Sequence, residues 1–372
     1  VIEFSIDSAW PGRKDKASLE LRAMGHTYKM KALVKYASGE GNVDIMDVEE
    51  PRCGDDEIKL EIAYCGICGT DLHVLHDTFR NYPPVILGHE FSGTVVEVGR
   101  KVTGVAAGER GAGLGATAVT CGHCQYCRTG NFIFCANRRG MGHGVNGAFA
   151  RYVVLRPDQL YRIPESFTLE EAAMSEPFAA VVQAVTEISQ VRIGDTALVS
   201  GPGPIGLLCV KLLVAEGVRT IVAGAPGDGD RLQAALRCGA TATVNIGEQE
   251  LGDAVREYTD GKGVDVAFEC AGHPGSVRGC LEVLRPMGRY TQIAICGQDI
   301  QFPIDQIFYK QLTMSGSICY TVKTWERMMK IFAEGRVRLS DLVSAKLPIS
   351  DWRTAFSLCE DKKAVKVLMF PE

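Results

Sequence analysis

The sequence contains no run of eighteen apolar residues, so no stretch of it reads as a membrane-spanning helix. It has no basic excess either. Its 40 Lys and Arg face 45 Asp and Glu, a formal net charge of −5, which removes the electrostatic footprint of a nucleic-acid surface. The opening stretch, VIEFSIDSAWPGRKDKASLELRAMGHTYK, mixes charges with apolar residues and lacks a signal-peptide core. Repeats and low-complexity linkers are missing. Residue 1 is not methionine, while MKALVKY from Met30 has the look of a natural start, so residues 1–29 read as an N-terminal extension without functional weight. These absences leave a globular, cytoplasmic protein, and 372 residues exceed one core of typical size, so two domains are expected.

Cysteine is plentiful: fourteen residues, spread along a signal-free chain, which fits reduced thiols better than a disulfide scaffold. Four of them crowd into CGHCQYCRTGNFIFC. Cys121, Cys124, Cys127 and Cys135 are separated by two, two and seven residues, a spacing that turns successive thiolates toward one point. Four thiolates close the tetrahedral sphere of a structural zinc and leave no position for substrate. An iron–sulfur cluster also takes four thiolates, but its usual signature ends in Cys-Pro, and here Ala136 follows Cys135. Structural zinc is the expectation.

A second set is sparser. YCGICGTDLHVLH (64–76) and PPVILGHEFSGTVVEVG (83–99) offer Cys68, His89 and Glu90: one thiolate, one imidazole and one carboxylate. Catalytic zinc takes three mixed protein ligands and keeps one position open. Gly66, Gly69, Gly88 and Gly93 flank these residues and permit tight turns, and Asp71 stands ready to hold a ligand histidine through its second nitrogen. SEPF (175–178) adds Glu176 in an otherwise small, apolar segment.

Cys68-Gly69-Thr70-Asp71, Gly88-His89-Glu90, the four-cysteine loop and Glu176 before Pro177 together resemble the zinc-dependent medium-chain alcohol and polyol dehydrogenases, from about Met30 to Glu372. The resemblance implies that Cys68 and His89 bind a catalytic zinc, with Glu90 and Glu176 ligating directly or through water. It implies that Thr70 takes the substrate proton and that His73 passes it to solvent. Cys65, His76, His123 and His143 match no ligand.

Beyond residue 180 the pattern changes to short apolar runs alternating with helical stretches. DTALVS (195–200) leads into GPGPIGLLCVKLLVAEG (201–217), where Gly201, Gly203 and Gly206 form G-x-G-x-x-G between strand and helix, with Pro204 and Ile205 in the helix's first turn. That context points to a dinucleotide pyrophosphate at the helix N-terminus. The next strand ends at Gly224 instead of Asp or Glu. Either Gly224 leaves room for a ribose phosphate, with Arg231 nearby, or the loop curls back and Asp228 or Asp230 bonds the ribose. The first reading, NADP, is preferred.

The expected fold is α/β: a GroES-like, mostly β catalytic domain (30–180), a doubly wound Rossmann domain (181–319) and a C-terminal return to the catalytic domain (320–372). The expected activity is zinc-dependent hydride transfer between a secondary alcohol or polyol, or its ketone, and NAD(P), with two zinc ions per subunit. An NADPH-dependent biosynthetic ketone or aldehyde reductase is the alternative, followed by a non-catalytic cofactor-binding relative. In the family's polyol branch an arginine–tyrosine pair often bonds sugar hydroxyls. Cys319 and Tyr320 align there, making Tyr320 a candidate substrate partner. The partner is a small alcohol or ketone, not nucleic acid or membrane. The resemblance implies a homodimer or homotetramer pairing around residues 301–316.

Overall fold

The computed structural model describes residues 28–372. Most of the proposed N-terminal extension, residues 1–27, therefore lies outside the described residues, and strand Lys29–Lys35 already includes Lys29, paired with Glu49. The protein is of the α/β class, with an all-parallel sheet of six strands beside a mostly antiparallel one of seven.

The parallel sheet runs Ala242–Asn245, Arg219–Gly224, Thr196–Ser200, Val264–Glu269, Leu284–Gln292, Thr313–Gly316 in space. Its first strand in sequence, Thr196–Ser200, is central, so the winding reverses beside it. That is where doubly wound sheets open a crevice for ligand. Strands covered by helices on both faces must be apolar throughout, which is why TALVS and RTIVAG show no polar alternation. Successive residues still part to opposite faces. Ala197, Val199 and Val222 pack with Leu207 and Leu208 of helix Pro204–Ala215, whereas Leu198, Ile221 and Ala223 pack with Val255, Val277 and Leu281 on the other side.

The seven-stranded sheet has the order Val343–Pro348, Lys366–Phe370, Ile58–Gly66, Glu90–Val98, Arg110–Gly113, Leu160–Arg162, with Tyr152–Leu155 also pairing Ile58–Gly66. Its core gathers Leu60, Phe91 and Phe149 with Trp352 and Phe356 of helix Trp352–Glu360. Strand Lys366–Phe370 returns here after the parallel sheet is complete: Leu368 lies opposite Gly66 and Met369 opposite Cys65. Helix Leu169–Ala172 is started by Thr168, whose hydroxyl accepts the Glu171 N–H at 3.1 Å. The Glu171 carboxylate is fully buried and accepts Arg338 Nε at 2.8 Å, Arg338 Nη2 at 2.6 Å and Leu339 N–H at 3.0 Å. That clamp ties the entry to helix Ser175–Val182, which carries Glu176, to the chain beyond the parallel sheet.

Candidate active site and metal centres

Strand Ile58–Gly66 ends just before Cys68, which is the N-cap of helix Gly69–Leu75. Asp71, one turn into that helix, folds back: its Oδ2 accepts the Cys68 N–H at 2.9 Å and its Oδ1 accepts the Gly88 N–H at 3.3 Å. One buried carboxylate thereby pins both donor-bearing turns. Gly88 has φ +89°, and a Cβ there would lie 2.8 Å from Cys65 Sγ, so only glycine fits. His89 follows, and Glu90 opens the next strand directly opposite Gly66.

The ladder thus brings Cys68, His89 and Glu90 together, their ligand atoms all within 4.8 Å of one another. His89 Nδ1 is buried without a hydrogen-bond partner and faces Asp71 Oδ1 at 3.7 Å. Burial works against a charged imidazole here, yet Asp71, Cys68 and Glu176 outweigh it and lift His89 well above the ordinary histidine value. Negative donors are in excess around this point, which is the environment a divalent cation neutralises. Thiolate, imidazole and carboxylate are a borderline-soft set that suits zinc. Glu90 is also held from behind, since its Oε2 accepts a charge-assisted bond from Lys366 Nζ, which donates to Ile67 O at 2.8 Å as well. Glu176 stands beside the three-donor set rather than within it. Burial pushes its carboxyl up to about 7, with Glu90 adding to the rise and His89 and the Tyr320 hydroxyl opposing it.

The sulfur atoms of Cys121, Cys124, Cys127 and Cys135 likewise lie within 4.8 Å of one another. Backbone N–H groups point at the sulfurs: Cys124 N to Cys121 Sγ at 3.3 Å, Cys121 N to Cys135 Sγ and Cys127 N to Cys124 Sγ at 3.4 Å. Such bonds favour thiolate. The Cys121 thiol falls to about 6, through the His123 and Cys124 N–H groups above all, while burial holds Cys127 up at about 11. The residues fit an all-thiolate tetrahedral ion.

On the parallel sheet, Gly201 has φ +105°, and a Cβ on Gly206 would sit 1.9 Å from Gly201 O, so the turn closes only with glycines. Gly203 differs, because a Cβ there meets nothing within 4 Å. Its open side faces no protein atom, and Gly203 caps helix Pro204–Ala215 without a side-chain bond, leaving the N-terminal amides free for an anion. At the end of strand Arg219–Gly224, a Cβ on Gly224 would lie 3.1 Å from Asp228 Cβ, and Asp228 Oδ2 accepts the Ala225 N–H at 3.0 Å. Arg231, expected near a ribose phosphate, instead donates from Nη2 to Ala364 O at 2.8 Å. Asp230 is exposed.

Residues 54–165 match the alcohol dehydrogenase GroES-like domain, and residues 204–334 match the zinc-binding dehydrogenase domain. The sorbitol dehydrogenase of Halalkalibacterium halodurans is 35% identical over 92% of this chain and 99% of its own length. The chain belongs to the zinc-dependent medium-chain alcohol and polyol dehydrogenases. Another relative, the D-arabitol-phosphate dehydrogenase of Enterococcus avium, is 33% identical over 91% of this chain and 97% of its own. A zinc-binding dehydrogenase from Sinorhizobium meliloti, solved with NADP bound, superposes with a TM-score of 0.86 at 30% identity, covering 92% of this chain and all of that one. The protein is therefore an NAD(P)-dependent alcohol or polyol oxidoreductase.

In this dehydrogenase Thr70 Oγ1 lies 3.7 Å from Cys68 Sγ, and exposed His73, three residues on along the same helix, has Nδ1 2.9 Å from Thr78 Oγ1. The four residues that matched no ligand stay outside both donor sets. Cys65 is buried, and burial raises its thiol. His76 bridges Glu40 and Glu360, His123 Nδ1 bonds Cys121 O, and burial drives His143 down to about 4. Tyr320 is 4% exposed, its hydroxyl accepts the Ala116 N–H at 3.3 Å, and burial together with the Glu176 charge raises it well above the ordinary tyrosine value. Sequence reasoning missed Lys366. Its only trace is a lysine beginning the apolar run VLMF. Among the described residues no helix is long and apolar enough to cross a membrane.

Proposed function

We propose that this dehydrogenase oxidises a secondary alcohol or polyol hydroxyl, or reduces the matching ketone, with one catalytic and one structural zinc per subunit. The convergence of Cys68, His89 and Glu90 within 4.8 Å, with Glu176 beside them, carries this reading. A zinc ion held by that set would supply Lewis acidity, easing loss of the substrate's hydroxyl proton near neutral pH. Thr70, beside Cys68, would accept that proton, and His73, exposed on the same helix, would release it. Asp71 keeps the His89 ring oriented, and Lys366 keeps one Glu90 oxygen occupied. The four-cysteine lobe would hold an ion with no position left for substrate, and so serve structure.

The ribose end favours NAD over the NADP preferred from sequence. Asp228 puts a carboxylate beside the strand end, where a ribose hydroxyl is bonded and a phosphate repelled, and Arg231 is engaged by Ala364. The exposed Phe308 and Tyr309 beside the edge strand Thr313–Gly316 support a homo-oligomer paired there. The experiment is a substrate panel on zinc-loaded protein: polyols, threonine and simple secondary and primary alcohols, each with NAD and NADP. Turnover confined to primary aliphatic alcohols overturns the substrate reading, and Cys68→Ser or His89→Ala with turnover retained overturns the site.

A further inference from the structure

The proposed chemistry leaves one cation beside the site unused. Arg138 follows the last metal-lobe cysteine by three residues, and its N–H bonds Cys135 O at 2.9 Å, so the lobe fixes its backbone. Its side chain is half-buried, and Nη1 donates to Ala116 O at 2.7 Å. The N–H of the same Ala116 meets the Tyr320 hydroxyl, and a Cβ on neighbouring Gly115 would lie 3.0 Å from His89 O. The guanidinium is thus bonded to the stretch of backbone that packs against His89. Its charge reaches the Cys319 thiol, which also feels Glu176 and Cys68, and the His143 imidazole, which also feels His89.

Among the described residues Arg138 has no carboxylate within ion-pair distance, whereas Arg285, Arg289 and Lys366 each have one. A guanidinium carries five N–H donors, and one of them is spent on Ala116. The neighbouring cations add to the imbalance. Tyr82, whose N–H bonds His143 O at 2.9 Å, has Arg139 3.7 Å and Arg80 5.1 Å from its ring, neither of them in an ion pair among the described residues. Arg139 and Arg80 thus lie at Tyr82, while Ala116 O, which holds Arg138, and the His143 ring both border Gly140.

Building on the dehydrogenase reading, we infer that Arg138 centres an oxyanion subsite, and that the substrate alcohol carries a carboxylate or phosphate away from the hydroxyl that reacts. The guanidinium fork matches either group, and Arg139 and Arg80 strengthen the field at the subsite's edge.

The test compares a polyol, its terminal phosphate monoester and the corresponding hydroxy acid on zinc-loaded full-length protein. One oxyanion substrate should exceed the neutral polyol about 100-fold in kcat/KM, mainly through KM, and the better of the two identifies the group. Arg138→Gln should cut that preference about tenfold or more, and Arg138→Lys should restore part of it. Preference for the neutral polyol overturns the subsite. So does an equal loss on charged and neutral substrates in Arg138→Gln, which would make the arginine only a brace for Ala116. If no alcohol at all is turned over, the dehydrogenase reading fails separately. Calorimetric titration with inorganic phosphate then decides the subsite alone: binding lost in Arg138→Gln sustains it, and binding unchanged or never present sinks it.

Discussion

Replacing Arg338 with Met tests whether the Glu171 clamp holds the two halves of the dehydrogenase together. Two bonds are lost, Nε at 2.8 Å and Nη2 at 2.6 Å, while Leu339 N–H and Thr168 still serve the carboxylate. Stranding a buried charge outright costs about 3–5 kcal/mol, and an exposed ion pair is worth roughly 0.2–1. Glu171 is fully buried but the Arg338 side chain is 50% exposed, and the carboxylate keeps other donors, so the loss should fall between those limits, about 2 kcal/mol. For a chain of this length that corresponds to a melting point lower by about 2.5 °C. The pH dependence gives a sharper signature. Burial raises the Glu171 carboxyl, but Arg338 and the Leu339 and Thr168 amides outweigh it, so its folded value lies below the ordinary one. The stabilisation is therefore whole above the unfolded value of about 4.3 and is lost as pH falls through the folded value. Urea unfolding of both proteins from pH 7 downward should give a constant gap that closes in acid. A gap under about 0.5 kcal/mol at pH 7, the scatter of ordinary surface changes, refutes the clamp.

The remaining predictions concern metal and cofactor. Cys68→Ser should lower zinc from about two ions per chain to about one with little change in melting point, whereas Cys121→Ser should lower both, read by elemental analysis and a thermal melt. Gly203→Ala should leave stability intact, since its Cβ meets no protein atom within 4 Å, but should weaken NAD binding about tenfold or more by fluorescence titration if the pyrophosphate fills that open space as proposed. Gly206→Ala should destabilise the fold itself by about 1–3 kcal/mol, because its Cβ would strike Gly201 O. Asp228→Ser should shift the kcat/KM ratio about tenfold toward NADP, and an unchanged ratio would remove Asp228 from the ribose contact.

Legibility in the sequence followed how local each interaction is. The lobe cysteines converge within one short loop, so spacing alone pointed to a metal. Cys68, His89 and Glu90 are joined by a strand ladder, and only their glycine neighbours and a family resemblance singled them out. The partner of Glu90 was invisible, because Lys366 lies 276 residues further on and arrives by a returning strand. Arg231 lies near Gly224 in sequence, and its bond to Ala364 O, across 133 residues, could not be read from that proximity. Chain position does not tell which way the Tyr320 hydroxyl points, so its bond from the Ala116 N–H, 204 residues away, was not legible. The alternating faces of the parallel strands, by contrast, follow from a two-residue period that any apolar run displays.

The Lys366–Glu90 bond has a consequence for biosynthesis. During translation Glu90 leaves the ribosome long before Lys366, so every nascent chain passes through a stage in which the parallel sheet is complete and the neighbouring carboxylate has no cation behind it. Strand Lys366–Phe370 must then find Cys65 and Gly66 across roughly 300 residues of already folded chain, a slow, non-local closure. Until it does, Glu90 is free to swing and the donor set is not yet in register. A product that ends before Lys366 would lack the cation behind Glu90 and the strand that pairs Cys65 and Gly66.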